Sequence, residues 1–221
     1  MNTLPMSITA QIVADSISSQ GIRLSTLSLK YPRWIHAEFM THRLFSRNAS
    51  SSRAVPSKRL SALEREYPLW WGANIPGMQA GAKLSGEQAA KAKAAWDRMA
   101  DACIEGVAEL AALGLHKQWA NRPLEWFTSI SVLVSATSFD NFFGVRWHPD
   151  AQPEIQELAR QMFSALHASA PRPLVNLIGR TSLKQLLALL DRADLLICPD
   201  SGPAHMATAV GTPVVGLYAT S

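Results

Sequence analysis

Three stretches of this sequence place side chains in patterns that suit chemistry. The first is Glu38-Phe39-Met40-Thr41-His42-Arg43-Leu44-Phe45-Ser46-Arg47-Asn48-Ala49-Ser50-Ser51-Ser52-Arg53. Arg43, Arg47 and Arg53 are permanent cations whose planar forks match phosphate oxygens. Ser46, Asn48, Ser51 and Ser52 put short donors and acceptors between them. No core takes so many polar groups in a row, so the stretch is an anion site or a solvated loop behind a helix. The second stretch holds Trp70, Trp71, Gly72, Asn74, Pro76, Gly77, Met78 and Gln79. It is a loop that either stacks on a flat ring or is pinned to the body by its tryptophans. The third is Asp200-Ser201-Gly202-Pro203, a turn between an apolar strand and a small-residue helix. A helix N-terminus at the carboxyl end of a strand is a place for an anionic ligand.

The elements that must position these groups follow from periodicity and punctuation. Ile8 to Ala14 and Ile22 to Leu29 predict two strands of a hairpin around the turn cluster Ser16 to Gly21. The apolar phase shifts within the second strand, as a bulge would require. Pro32 predicts a helix start, with Ile35 and Phe39 on one face. Ser85 and Gln88 form a capping-box pattern ahead of a long helix that Gly114 ends. Ile130 to Val134 is an apolar run. Asp150 is the expected cap of a helix in which Ile155, Leu158, Ala159, Met162, Phe163 and Leu166 recur at helical spacing to about Ser169. Ala170-Pro171-Arg172-Pro173 is a break. After it, Ser182 caps a leucine-rich helix, and a strand, a helix over Ala204 to Val210 and a strand over Val214 to Tyr218 make a βαβ unit.

The chain has 221 residues, 48% hydrophobic and 17% charged, with a net charge of +4. That is a globular composition with room for one large domain or two small ones. The mild basicity suits phosphorylated ligands, and the absence of a long Lys/Arg run argues against a nucleic-acid partner. Cys103 and Cys198 lie far apart in apolar segments and read as reduced core thiols, not a disulfide or a metal site. No charged start followed by an apolar run marks a signal peptide, and no apolar run spans a bilayer, so a cytoplasmic location is expected.

The spacing His-Arg-x-x-Ser-x-Asn-x-x-Ser-x-Arg, carried by His42, Arg43, Ser46, Asn48, Ser51 and Arg53, resembles the signature of flavin-dependent thymidylate synthases of the phage type. The run from Trp71 to Gln79 resembles one in the same family. Asn141, Arg146 and Gln152 resemble its second block, and Arg122 an arginine just upstream. Thr41, Ala49, Ser135 and Thr137 depart from the family pattern, and its last block has no counterpart here. The resemblance implies FAD as cofactor, NADPH and methylenetetrahydrofolate as co-substrates, dUMP as substrate and a homotetramer with sites between subunits. It assigns Arg43, Ser51 and Arg53 to catalysis, with Arg43 polarising the uracil carbonyl. Ser51 has no general base nearby and serves as a binding residue. His42, Ser46, Asn48 and Asn141 would contact the flavin. Arg53, Arg122, Arg146 and Gln152 would hold dUMP. The plainer alternative for Arg146 and Glu154 is a surface ion pair.

Past the break, Gly179-Arg180-Thr181-Ser182-Leu183, Asp200-Ser201-Gly202-Pro203-x-His205 and Gly211-Thr212-Pro213-Val214-Val215-Gly216-Leu217 resemble the C-terminal domain of heptosyltransferases, which build lipopolysaccharide. That resemblance implies that Asp200, Ser201, Gly202 and His205 hold a nucleotide-sugar diphosphate. The expected architecture is therefore α+β. Residues 1–173 form a thymidylate synthase-like α/β body, and residues 174–221 a small Rossmann-like βαβ fragment, a chimera of two families. The expected function is FAD-dependent conversion of dUMP to dTMP. The alternatives are a nucleotide- or flavin-binding chimera without turnover, and an ADP-heptose glycosyltransferase piece.

Overall fold

The computed structural model describes residues 8–62, 64–199 and 201–217. The chain divides into two compact units, Met1–Leu174 and Val175–Ser221.

The first unit opens with a hairpin, β1 (Thr9–Ile17) and β2 (Arg23–Pro32). Gly21, at φ 82°, makes the turn. α1 (His36–Phe39), β3 (Ser46–Ala49), α2 (Ser57–Ser61), α3 (Gly86–Ala112) and α4 (Lys117–Ala120) follow. Then come β4 (Ser129–Ala136), α5 (Asp140–Arg146), α6 (Pro153–Ala168) and β5 (Arg172–Pro173). The sheet order is β3-β4-β2-β1-β5, antiparallel throughout except for the short parallel pair β1 and β5.

The core lies on one face of this sheet. Leu27, Leu29 and Tyr31 from β2 and Ile130, Val132 and Val134 from β4 point toward Ile155, Leu158 and Met162 of α6. Each fully buried side chain of this size contributes about 1.5–3 kcal/mol relative to exposure. Phe39, Phe45, Phe139 and Phe142 close one end in tilted and edge-to-face contacts, with centroids 5.0–5.7 Å apart. A smaller core forms where Val107 of α3 meets Leu60 of α2 and Leu124.

Several local expectations are corrected. The register shift lies in β1, between Ile12 and Ala14, and not in β2. In β2 the phase change simply moves apolar side chains from the open face, with Ile22 and Leu24 exposed, to the core face, with Leu27 and Leu29 buried. Pro32 ends β2 and a 3-10 turn over Arg33–Ile35 precedes α1. Ser85 is the N-cap of α3 but makes no side-chain cap bond. Gln152, not Asp150, is the N-cap of α6, because Pro153 fixes the first helical position. The break after α6 contains β5, an edge strand that tolerates Pro173. Gly114 does end α3, at φ 78°, with Gly114 N–H on Ala111 O and Leu115 N–H on Leu110 O.

One polar cluster fastens α6 to the hairpin. Asp15 accepts from Arg23 Nε (2.8 Å), Arg23 Nη2 (2.6 Å), Ser25 Oγ (2.9 Å) and Ser169 Oγ (2.6 Å). Arg23 Nη2 also donates to Leu166 O at 2.8 Å, at the last turn of α6. The hydrogen bonds from Arg23, then those from Ser169 and Ser25, hold the Asp15 carboxyl down at about 2 against the cost of burial.

The second unit contains α7 (Leu183–Asp191), β6 (Leu196–Pro199), α8 (Gly202–Ala209) and β7 (Val214–Leu217). β6 and β7 are parallel and α8 connects them. Ser182 and Gln185 complete a reciprocal capping box at α7. Gly211, at φ 83°, closes α8, with Gly211 N–H on Thr208 O and Thr212 N–H on Ala207 O. Thr212 Oγ1 donates to Leu190 O at 2.5 Å and ties that corner to α7. One face of the ladder stays open, with Ile197 60% and Val215 45% exposed. Tyr218, expected in the last strand, lies outside the described residues. Among the described residues no helix is long and apolar enough to cross a membrane.

Asp15→Asn is expected to lower unfolding free energy by about 2–3 kcal/mol at pH 7, the loss of charged hydrogen bonds in a buried setting. A carboxyl lowered on folding stabilises fully above its unfolded value and loses that contribution as pH falls toward 2. Urea unfolding of both proteins from pH 7 to pH 2 should therefore show the gap closing below about pH 4. A gap that persists unchanged at pH 2 contradicts the assignment.

Candidate functional site

The first unit contains a cleft of about 570 Å³. Its lining includes Glu38, Trp70, Arg146, Gln152, Glu154 and Gln156. The loop from Trp70 forms one wall. Gly72 is fixed there by close approach, since a Cβ would stand 2.4 Å from Ala80 Cβ and 2.9 Å from Trp70 Cζ3. Trp71 packs edge-on against Trp96 of α3 at 5.7 Å, so this tryptophan pins the loop.

Arg146, the last residue of α5, is the hub of the polar wall. Its Nε donates to His42 Nε2 at 3.0 Å, Nη1 to Glu38 Oε2 at 3.3 Å and Nη2 to Thr41 Oγ1 at 3.3 Å. The pairing expected of Arg146 and Glu154 is thus made with Glu38 instead. His42 is buried and stacks beside Phe45 while Phe142 meets it edge-on. Burial, then the charges of Arg146 and Arg47, push its imidazole below the usual histidine range. Accepting from a guanidinium requires an unprotonated Nε2, so the burial and the hydrogen bond agree.

Glu154, in the first turn of α6, is buried in the cleft floor. Oε1 accepts from Leu69 N–H at 2.8 Å and Oε2 from Gln152 Nε2 at 3.0 Å. Gln152 itself is largely exposed.

The other candidates are dispersed. Arg47 is spent on structure: its guanidinium caps the carbonyls of Met40, His42 and Phe45 at 2.6–3.1 Å. Ser46 and Asn48 sit on β3, paired in register with Ser135 and Leu133, and are exposed. Arg43, Ser51, Arg53 and Asn141 are exposed as well. Ser51 Oγ accepts from Arg53 N–H, a local cap. Arg122 belongs to a separate cluster around Glu125, which takes Arg122 Nη1 at 2.9 Å and Ser52 Oγ at 2.5 Å. So the structure brings Arg146 and Gln152 to one cleft, with the buried His42 bonded to Arg146, while Arg122 is engaged elsewhere. Glu38, Glu125 and Glu154 were not among the expected site residues because anion-site reasoning selects for cations. Glu154 was within reach through the Gln-x-Glu spacing at a helix start.

In the second unit, Ser201 is the N-cap of α8 and its Oγ donates to Pro199 O at 3.0 Å. Gly202 opens the helix, and His205 is exposed one turn on. Asp200 lies outside the described residues.

The fold of the chain is similar to that of a UMP/dUMP methylase, PolB from Streptomyces cacaoi, with a TM-score of 0.59 at 18% identity. That similarity covers 72% of this chain and 88% of the other. It is a likeness of fold alone. The flavin dependent thymidylate synthase ThyX from Helicobacter pylori gives a TM-score of 0.45, which supports no functional argument. In sequence, a lipopolysaccharide core heptosyltransferase, OpsX of Haemophilus influenzae, is 64% identical over 44 residues, covering 20% of this chain and 13% of that protein. Lipopolysaccharide heptosyltransferase 3 of Escherichia coli is 47% identical over 47 residues, covering 21% and 14%. The match thus spans a small part of the length of these curated relatives. The profile of glycosyltransferase family 9 (heptosyltransferase) matches residues 58–221, on both sides of the division at Leu174.

These matches overturn the thymidylate synthase expectation. FAD, NADPH and methylenetetrahydrofolate fall with it, because family 9 enzymes use nucleotide-sugar donors and need no flavin. dUMP and the homotetramer lose their support as well, and the joining of two families is not confirmed. In the cleft, Arg146, one of the guanidiniums expected to hold dUMP, is paired with Glu38. The chain belongs to glycosyltransferase family 9.

Proposed function

We propose that this chain serves heptosyl transfer to a lipopolysaccharide core, with the turn Asp200 to His205 engaging the diphosphate of a nucleotide-activated heptose. The observation that carries the reading is the family 9 match over residues 58–221, which includes a helix N-terminus at the carboxyl end of a parallel strand. In such a reaction an acceptor hydroxyl attacks the anomeric carbon, the bond from that carbon to the diphosphate oxygen breaks, and negative charge accumulates on the departing nucleoside diphosphate. The start of α8 supplies partial positive charge where that anion would lie. Gly202 brings backbone close to the ligand, and His205 lies three residues on, over the same helix face. Charge stabilised at the leaving group lowers the barrier of the transfer.

Two measurements test this. Incubation with ADP-heptose and heptose-free lipopolysaccharide should release ADP only when the acceptor is present, read by chromatography, with a matching gain of one heptose in product mass. Gly202→Ala should fold normally, since a Cβ there meets nothing within 4 Å. It should nevertheless lower ADP release by at least about tenfold, by holding the diphosphate off the backbone. Absence of acceptor-dependent release, or an unchanged Gly202→Ala rate, contradicts the proposal.

A further inference from the structure

Arg33 is a guanidinium that the fold leaves unused. It follows β2, its backbone N–H donates to Thr128 O at 3.0 Å, and its side chain is 16% exposed. Among the described residues that side chain makes no hydrogen bond, and its Nε is buried without a partner. The carboxylate oxygen within reach, Glu125 Oε1, stands 4.0 Å from Nη1, too far for a hydrogen bond. That oxygen already takes Ser52 Oγ at 2.5 Å and Arg122 Nη1 at 2.9 Å. A permanent cation with five donors is therefore largely desolvated and unsatisfied, which is costly. Burial pulls its pKa below the usual arginine value, against the pull of Glu125.

The deficit is not confined to Arg33. Thr128 Oγ1 and Asn121 Oδ1 are the other buried side-chain polar atoms without a partner among the described residues. Both belong to the same corner. Thr128 holds the Arg33 backbone, and Asn121 Nδ2 donates to O of Ser52, the residue whose hydroxyl meets Glu125. Buried polar groups are ordinarily paired, so three exceptions in one place mark a missing partner. The Arg33 fork needs an acceptor, and the Thr128 hydroxyl can donate to one as well. Asn121 Oδ1 needs a donor, which a water beside that acceptor supplies.

The charge of the corner selects the acceptor. Two guanidiniums approach one oxygen of one carboxylate, so positive charge is in excess. Arg122 is 55% exposed and carries the cluster to the surface. A phosphate group offers oxygens in several directions and can meet two forks at once. We propose that Arg33 and Arg122 hold a phosphate group at this corner of the first unit, with Glu125 and Ser52 setting the position of Arg122. The site asks for no nucleobase and no flavin. It is independent of the sugar-transfer turn and stands whether or not heptosyl transfer is found.

Titration calorimetry of the full chain with inorganic phosphate at low ionic strength tests it. Saturable uptake is expected, and Arg33→Met should weaken it at least about tenfold. Phosphate should raise the Tm of the parent chain and leave that of Arg33→Met unmoved. Glu125→Gln keeps an acceptor for Ser52 and Arg122, removes the competing charge, and should tighten binding several-fold. Gly202→Ala should leave this uptake unchanged, which separates the site from the turn in the second unit. Should circular dichroism show that Arg33→Met has not folded, Arg122→Gln takes its place, with a several-fold loss expected. Glucose 6-phosphate that competes with phosphate identifies the occupant as the phosphate of a larger molecule; its failure to compete identifies the free ion. Absence of saturable uptake, equal uptake by a folded Arg33→Met, or loss of uptake in Gly202→Ala overturns the proposal.

Discussion

α6 is held at both ends by carboxylates, and the first unit depends on that arrangement. At its C-terminal end Asp15 collects Arg23, Ser25 and Ser169, and Arg23 reaches on to Leu166 O. At its N-terminal end Glu154 takes the Leu69 N–H. Between these anchors Ile155, Leu158 and Met162 fill the sheet face. Burial supplies the larger free energy, but it is non-directional. The two anchors fix where along the sheet the helix stops, and therefore where the loop from Trp70 meets α6 and opens a cleft.

The same geometry explains why Arg47 and Arg146 are not free to hold an anion. Arg47 faces three carbonyls, and Arg146 faces Glu38 and His42. A guanidinium has five donors in a rigid fork and takes whichever acceptors the fold supplies. Here the acceptors are protein groups contributed by α1 and the turn after it. A motif of cations describes a capacity; the fold decides whether it is left available.

What the sequence revealed follows from the range of each interaction. α6 was legible because one buried face repeats every third or fourth residue, and Gly114 was legible because a left-handed position excludes most other residues. The Ser182–Gln185 box is local and formed as its spacing suggests. Ser85 has the same spacing and did not form its cap, because Gly86 takes φ 54° and turns the chain differently. The His42–Arg146 bond crosses 104 positions and Ser52–Glu125 crosses 73. Neither pairing leaves a mark in local spacing. The βαβ turn around Ser201 was legible as an element, and the family to which it points was weighed below a competing resemblance that the matches do not uphold.

The open face of the β6–β7 ladder has a cost of its own. Parallel strands are ordinarily shielded on both sides, and two of them make a marginal sheet in water. Leu195, Leu196, Ile197 and Cys198 form an uncharged apolar run, in a ladder whose outer edges can recruit further strands. Pro199 interrupts that run as a natural gatekeeper would. The segment bearing the family's signature therefore also carries a liability to self-association during heating or concentration.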